Sequence, residues 1–187
     1  MAGSWSSRVA WEQLHCAYGD SREVGELLQG VLAGKDVWVE LFGHVLHQET
    51  IYEATVAVAA WMVEALQTKE LGARLIPVGK RLGTKEVLSE RIIAFNLLSG
   101  MAESAHEAVS SRSTPQQYAA IAALVLEALR PGSPLYKAGV DDPDDQISEA
   151  SSTLLEALAG RVMAAIDGQY QRSLRAKLGM PLPRPAA

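Results

Sequence analysis

The segment from Ile51 to Leu66 constrains the fold most. Its apolar residues, Ile51, Ala54, Val58, Trp61, Met62, Val63 and Leu66, nearly encircle a helix of ordinary pitch. A helix that is apolar on most faces is stable in water only when packed between neighbours. Thr50, followed three residues later by Glu53, makes a capping box that starts this helix. The chain must therefore supply flanking helices, and its punctuation does so on both sides.

Upstream, Asp20 with Glu23 forms a second capping-box pattern. It predicts a helix to about Ala33, with Val24, Leu27, Leu28, Val31 and Leu32 on one stripe. After the break "AGKD", a helix from Asp36 carries Val37, Leu41, Val45 and Leu46. Downstream, Leu71, Leu75 and Ile76 predict a short helix that ends near Pro77. Thr84 starts a long helix with Leu88, Ile92, Phe95, Ala102, Ala105 and Val109 inside, and Gly100 is a point of bending or splitting. Thr114, Pro115 and Gln117 combine an N-cap, a first-turn proline and a glutamine at the third position. Pro131 to Asp145 reads as an irregular connection rich in Pro, Gly and Asp. A last helical pattern runs through Ile147, Leu154, Leu158, Val162, Ile166, Tyr170 and Leu174.

Strand-type alternation is nearly absent, so the expected class is all-α, with antiparallel helix pairs joined by short turns. "LHCAYGDSREVGELLQGVL" lines up with "LHQETIYEATVAVAAWMVEAL", the caps Asp20 and Thr50 being 30 residues apart. Such a repeat favours helix pairs stacked as a short α-solenoid over a bundle. Residues 1–178 are expected to form one domain, with 179–187 a flexible Pro-rich tail.

Charge narrows the function classes. Residues 1–66 carry nine acids against three bases, and 138–160 carry six acids and no base. Nucleic-acid binders show the opposite bias, because phosphate neutralisation needs Lys and Arg. There is no apolar run of about 18 residues to span a membrane, and the N-terminus lacks a basic segment followed by an apolar run. One cysteine, Cys16, leaves no internal disulfide. The expected compartment is the cytoplasm. The acidic segments fit a basic protein partner, or simply a solvated surface.

The chemical motifs are sparse. His44 and His47, with Glu49 or His15 close by in space, are spaced to reach one ion from a single helix face. The familiar zinc helix instead places its histidines four apart with a glutamate between, and a zinc site needs three or four ligands. His47 alternatively bonds the last carbonyls of a helix end. "GKRLGTKE" departs from the phosphate-binding loop in glycine spacing and residue order, leaving Lys80, Arg81, Lys85 and Arg91 as a modest basic patch. Cys16 follows His15 directly, but adjacent residues on a helix do not face each other. "GVDDPDDQISE" lacks the alternation and central glycine of a calcium loop. Its acids read either as helix N-terminal charge or as an exposed finger for a basic partner.

The same two segments resemble a group of bacterial HEAT-like helical-repeat proteins. Ala17, Tyr18, Gly19, Val24, His47, Gln48, Thr50, Tyr52, Ala54 and Thr55 match that group's pattern. The departures are Cys16 where it has histidine, Gly25 and Ala60 where it has proline, and Glu49 where it has glycine. The resemblance covers about the first 66 residues. It implies a short HEAT-like α-solenoid and a partner or immunity protein of a polymorphic toxin, and it brings no catalytic residue and no cofactor. The expected function is thus a non-enzymatic module that neutralises a cognate toxin domain. Expected contacts are Asp141, Asp142, Asp144 and Asp145, with Glu23, Glu26, Glu40 and Glu49. The alternatives are a metal-dependent hydrolase built on His44 and His47, and a repeat scaffold within a bacterial complex.

Overall fold

The computed structural model describes residues 9–77 and 87–181 and is mostly helical. In chain order the helices are α1 (Arg22–Leu32), α2 (Trp38–Val45), α3 (Glu53–Gln67), α4 (Glu90–Ser110), α5 (Gln116–Leu129), α6 (Ser133–Gly139), α7 (Asp145–Ala159) and α8 (Gly168–Lys177). Three antiparallel pairs of two-residue strands lie between them: β1 (His15–Cys16) with β2 (Gly19–Asp20), β3 (Leu46–His47) with β4 (Thr50–Ile51), and β5 (Leu75–Ile76) with β6 (Leu88–Ser89).

Helix α3 is central, as its composition requires. Of its 15 residues only Ala60, Glu64 and Gln67 reach the surface. It packs on α4 and α5, whose inner faces are rich in alanine (Ala102 and Ala105; Ala119, Ala120 and Ala122). Small residues there let the helix axes approach closely. Helix α4 lies against both α5 and α7, α6 covers α7, and α8 returns to α5. The two ends of the described chain meet, since the Ala10 N–H donates to the Lys177 carbonyl at 3.1 Å.

Several expected boundaries move for local reasons. The chain before α1 and α3 turns through a hairpin instead of passing from cap to helix. Asp20 therefore lies in β2, and Ser21 is the N-cap residue of α1. Asp20 Oδ1 and Oδ2 instead accept from the Arg22 guanidinium at 3.0 Å, which holds the carboxyl down at about 2. Thr50 lies in β4, and Tyr52 is the N-cap residue of α3. The reciprocal partner is Thr55, whose Oγ1 accepts from the Tyr52 N–H at 2.7 Å and donates to the Val45 carbonyl at 2.5 Å. Glu53 is consequently freed from capping and is buried.

The expected short helix at Leu71–Ile76 is an extended segment, because Leu75 and Ile76 pair with Ser89 and Leu88. Helix α4 begins after Ser89, which caps it by accepting from the Ile92 N–H; Thr84 lies outside the described residues. Gly100 does not split α4, which runs unbroken through it. A Cβ there would stand 2.8 Å from Leu46 Cδ2, so the glycine makes room for the β3 hairpin. Helix α5 starts one residue later than its cap pattern predicts, after Pro115. The expected loop 131–145 is mostly helical, a 3-10 turn at Arg130–Gly132 leading into α6. Proline within the first turn of each forfeits no helical hydrogen bond. The last helical pattern divides into α7 and α8, because Gly160 is extended and Asp167 caps a new helix. Lys80, Arg81 and Lys85 lie outside the described residues, as does the tail beyond Pro181.

The internal repeat is a hairpin followed by a helix. His15 pairs with Asp20 before Ser21 and α1; Leu46 pairs with Ile51 before Tyr52 and α3, 31 positions further on. In the second hairpin Gln48 and Glu49 take φ of 50° and 61°. Two successive left-handed residues make the type I′ turn that favours Asn-Gly. The resembled pattern carries glycine at position 49, where a Cβ is costly. Glu49→Gly is therefore expected to raise stability by roughly 0.5–1 kcal/mol, read from the urea midpoint at constant m-value.

Candidate functional site

The two hairpins and α2 bring together the densest group of chemically capable side chains. The first hairpin docks on α2 through the Ala17 N–H, which donates to the His44 carbonyl at 3.0 Å. That contact sets Cys16 beneath His44, with Sγ 3.3 Å from Nδ1, and the thiol also donates to the Asp20 carbonyl at 3.3 Å. On the other side of the ring, His44 Nε2 lies 3.5 Å from Glu23 Oε2. Tyr18, at the tip of the hairpin, stands edge-on to His44 with ring centroids 5.0 Å apart. Its hydroxyl is 3.4 Å from His47 Nδ1. Gly43 lies under the tyrosine, where a Cβ would come 3.4 Å from the hydroxyl oxygen.

Cys16, His44 and Glu23 thus follow the order nucleophile, base, orienting acid. The exposures are inverted for catalysis. Cys16 is 5% exposed, whereas the Glu23 side chain is 77% exposed. A working nucleophile faces the substrate and its orienting carboxylate is held inside. In this order the cluster clamps the first hairpin to α1 and α2. The Cys16 thiol is accordingly expected to react slowly with a disulfide reagent in the native protein and fully after unfolding in urea. Native labelling at the rate of a free thiol would make Cys16 a nucleophile.

His44 and His47 do not share a helix face. Val45 is the last residue of α2, and His47 belongs to β3. Both ring nitrogens of His44 face other groups, and no group of three or more His, Cys, Asp or Glu among the described residues is placed to hold an ion. His15 is exposed, and it is its backbone N–H that matters, donating to Glu53 at 3.1 Å.

The eight expected contact acids fall in two groups. Glu23, Glu26, Glu40 and Glu49 belong to α1, α2 and the second hairpin; Glu26 and Glu49 are exposed. Asp141 and Asp145 are exposed at the turn into α7. Asp142 and Asp144 have structural work: Asp142 pairs with Arg91 at 2.7 Å, and Asp144 caps α7 by accepting from Gln146 and Ile147. The finger expected from the sequence is therefore a tight turn with two outward carboxylates.

Beside the first group lies an aromatic and aliphatic patch absent from the sequence-derived contacts. Val39, 45% exposed, and Phe42, 47% exposed, are three residues apart on the outer face of α2. Gly43, under the 65% exposed Tyr18, is the next position. Tyr18 and His47 both belong to the residues that carry the resemblance, but Val39 and Phe42 left no signal beyond their places in an apolar helix. No protein family, curated protein or solved structure matches this chain.

Proposed function

We propose that this chain is a non-enzymatic, helical-repeat module that binds another protein, in the manner of an immunity protein that blocks a cognate bacterial toxin domain. The carrying observation is the patch of Tyr18, Val39 and Phe42, large side chains left in water beside Glu23 on the first helix. Exposed aromatic side chains bordered by charge are what binding hot spots are made of. The hairpin–helix unit that recurs after 31 positions supports the solenoid form of the reading. No helix among the described residues is long and apolar enough to cross a membrane.

The test is recovery of a stoichiometric partner from the native cell, followed by titration of the two purified proteins. Tyr18→Ala is expected to weaken binding at least tenfold, mainly through faster dissociation. Reversing Glu23, Glu49, Asp141 and Asp145 to lysine is expected to slow association, by a factor that shrinks as salt is added. The recovered partner should also lose its toxic activity when bound. Binding untouched by both variants, or no partner at all, overturns the reading.

A further inference from the structure

Helices α4 and α7 pack side by side, and their seam opens on a polar pocket of about 290 Å³. Asn96, Ser99 and Glu103 line it from α4; Gln146, Glu149 and Thr153 line it from α7. Asn96 Nδ2 donates to Gln146 Oε1 across the seam at 3.0 Å. Glu103 and Glu149 are exposed, and no base lines the pocket among the described residues. Asp145 stands one turn before Glu149 on the same face of α7, a helix that contains no base. The pocket therefore offers carboxylate, amide and hydroxyl oxygens in a field of one sign.

Asn96 is also the wall of a second depression, an apolar notch of about 210 Å³ lined by Trp38, Phe42, Leu88, Ile93 and Leu97. The indole N–H of Trp38 is buried and has no acceptor among the described residues. Because Asn96 lines both, the polar pocket and the apolar notch adjoin. Phe42 belongs at once to this notch and to the exposed patch of α2, so the two surfaces are continuous.

We infer that this surface takes a segment of a partner protein bearing an arginine or lysine for the pocket and an aliphatic or aromatic side chain for the adjoining notch. The inference rests on the protein-binding reading above. A cation lodged between Glu103 and Glu149 meets acceptors from two helices, an arrangement that suits the planar, multiply donating guanidinium better than a point charge. The notch removes apolar surface from water.

A random-peptide display selection against the full chain tests it, with the best synthetic peptide then titrated against variants. The enriched sequences are expected to pair Arg or Lys with a bulky apolar residue at a constant spacing. Affinity should fall at least tenfold for Glu103→Gln/Glu149→Gln and for Phe42→Asp, and change less than twofold for the exposed Glu12→Gln, which belongs to neither surface. All four positions are exposed, so the folds are comparable, and far-UV circular dichroism checks this. Enriched peptides without a cation, or peptides that bind Glu103→Gln/Glu149→Gln as tightly as the unaltered chain, overturn the inference. A native partner lost with Tyr18→Ala but retained at full affinity by Glu103→Gln/Glu149→Gln also overturns it while leaving the protein-binding reading in place.

Discussion

Replacing Glu53 by alanine is expected to cost roughly 3–5 kcal/mol, read as a fall in the urea midpoint. Glu53 opens α3 and is buried, yet its two oxygens hold three parts of the chain together. Oε1 accepts from the Tyr170 hydroxyl at 2.5 Å; Oε2 accepts from the His15 N–H at 3.1 Å and faces Lys177 Nζ at 3.5 Å. Truncation leaves three donors without their acceptor at a part-buried site, and a buried donor that is orphaned costs more than the bond itself contributed. Glu53→Gln retains one carbonyl oxygen and should lose less. Tyr170 adds a pH dependence. Burial and its bond to Glu53 raise its hydroxyl above the ordinary 10.0. The folded state thus favours the protonated phenol. Its contribution is complete below pH about 10 and is lost as pH rises further, because the unfolded chain ionises first. Tyr170→Phe should flatten that alkaline loss.

Trp61→Ala is expected to cost about 3–5 kcal/mol, since the largest side chain of α3 is fully buried and the neighbouring backbone cannot collapse into the space it leaves. Trp61→Phe should cost far less. The Trp61 indole N–H has no acceptor among the described residues, so its loss removes an unsatisfied donor along with some packing. Equilibrium urea unfolding of the two variants separates volume from polarity. A small loss for alanine would mean that α3 is not the centre of the core.

Helix existence was legible wherever an apolar stripe ran for three turns. Val24, Leu28 and Val31, the encircling residues of α3, and Phe95, Ala102, Ala105 and Val109 are all buried where the periodicity put them. Helix ends were less legible, since a capping pattern such as Thr50 with Glu53 can be pre-empted by a hairpin whose two-residue strands carry no alternation to read. The same hairpins account for what the sequence hid at the candidate site. Cys16 meets His44 across 28 positions, and Tyr18 meets His47 across 29, because the first hairpin docks on the end of α2. Asn96 and Gln146 join across 50 positions only because α4 and α7 share a seam.

The linear order of apolar residues determined that this chain is mostly helical and that α3 lies at its centre, because burying a helix apolar on most faces has few solutions. The tertiary structure alone decided which polar groups meet: the clamp of Cys16, His44 and Glu23, the buried hub at Glu53, and the pocket of Glu103 and Glu149. Hydrophobic burial is non-directional and leaves its mark in periodicity. A hydrogen bond or ion pair depends on ångström-scale placement of two distant segments, and no local pattern records it.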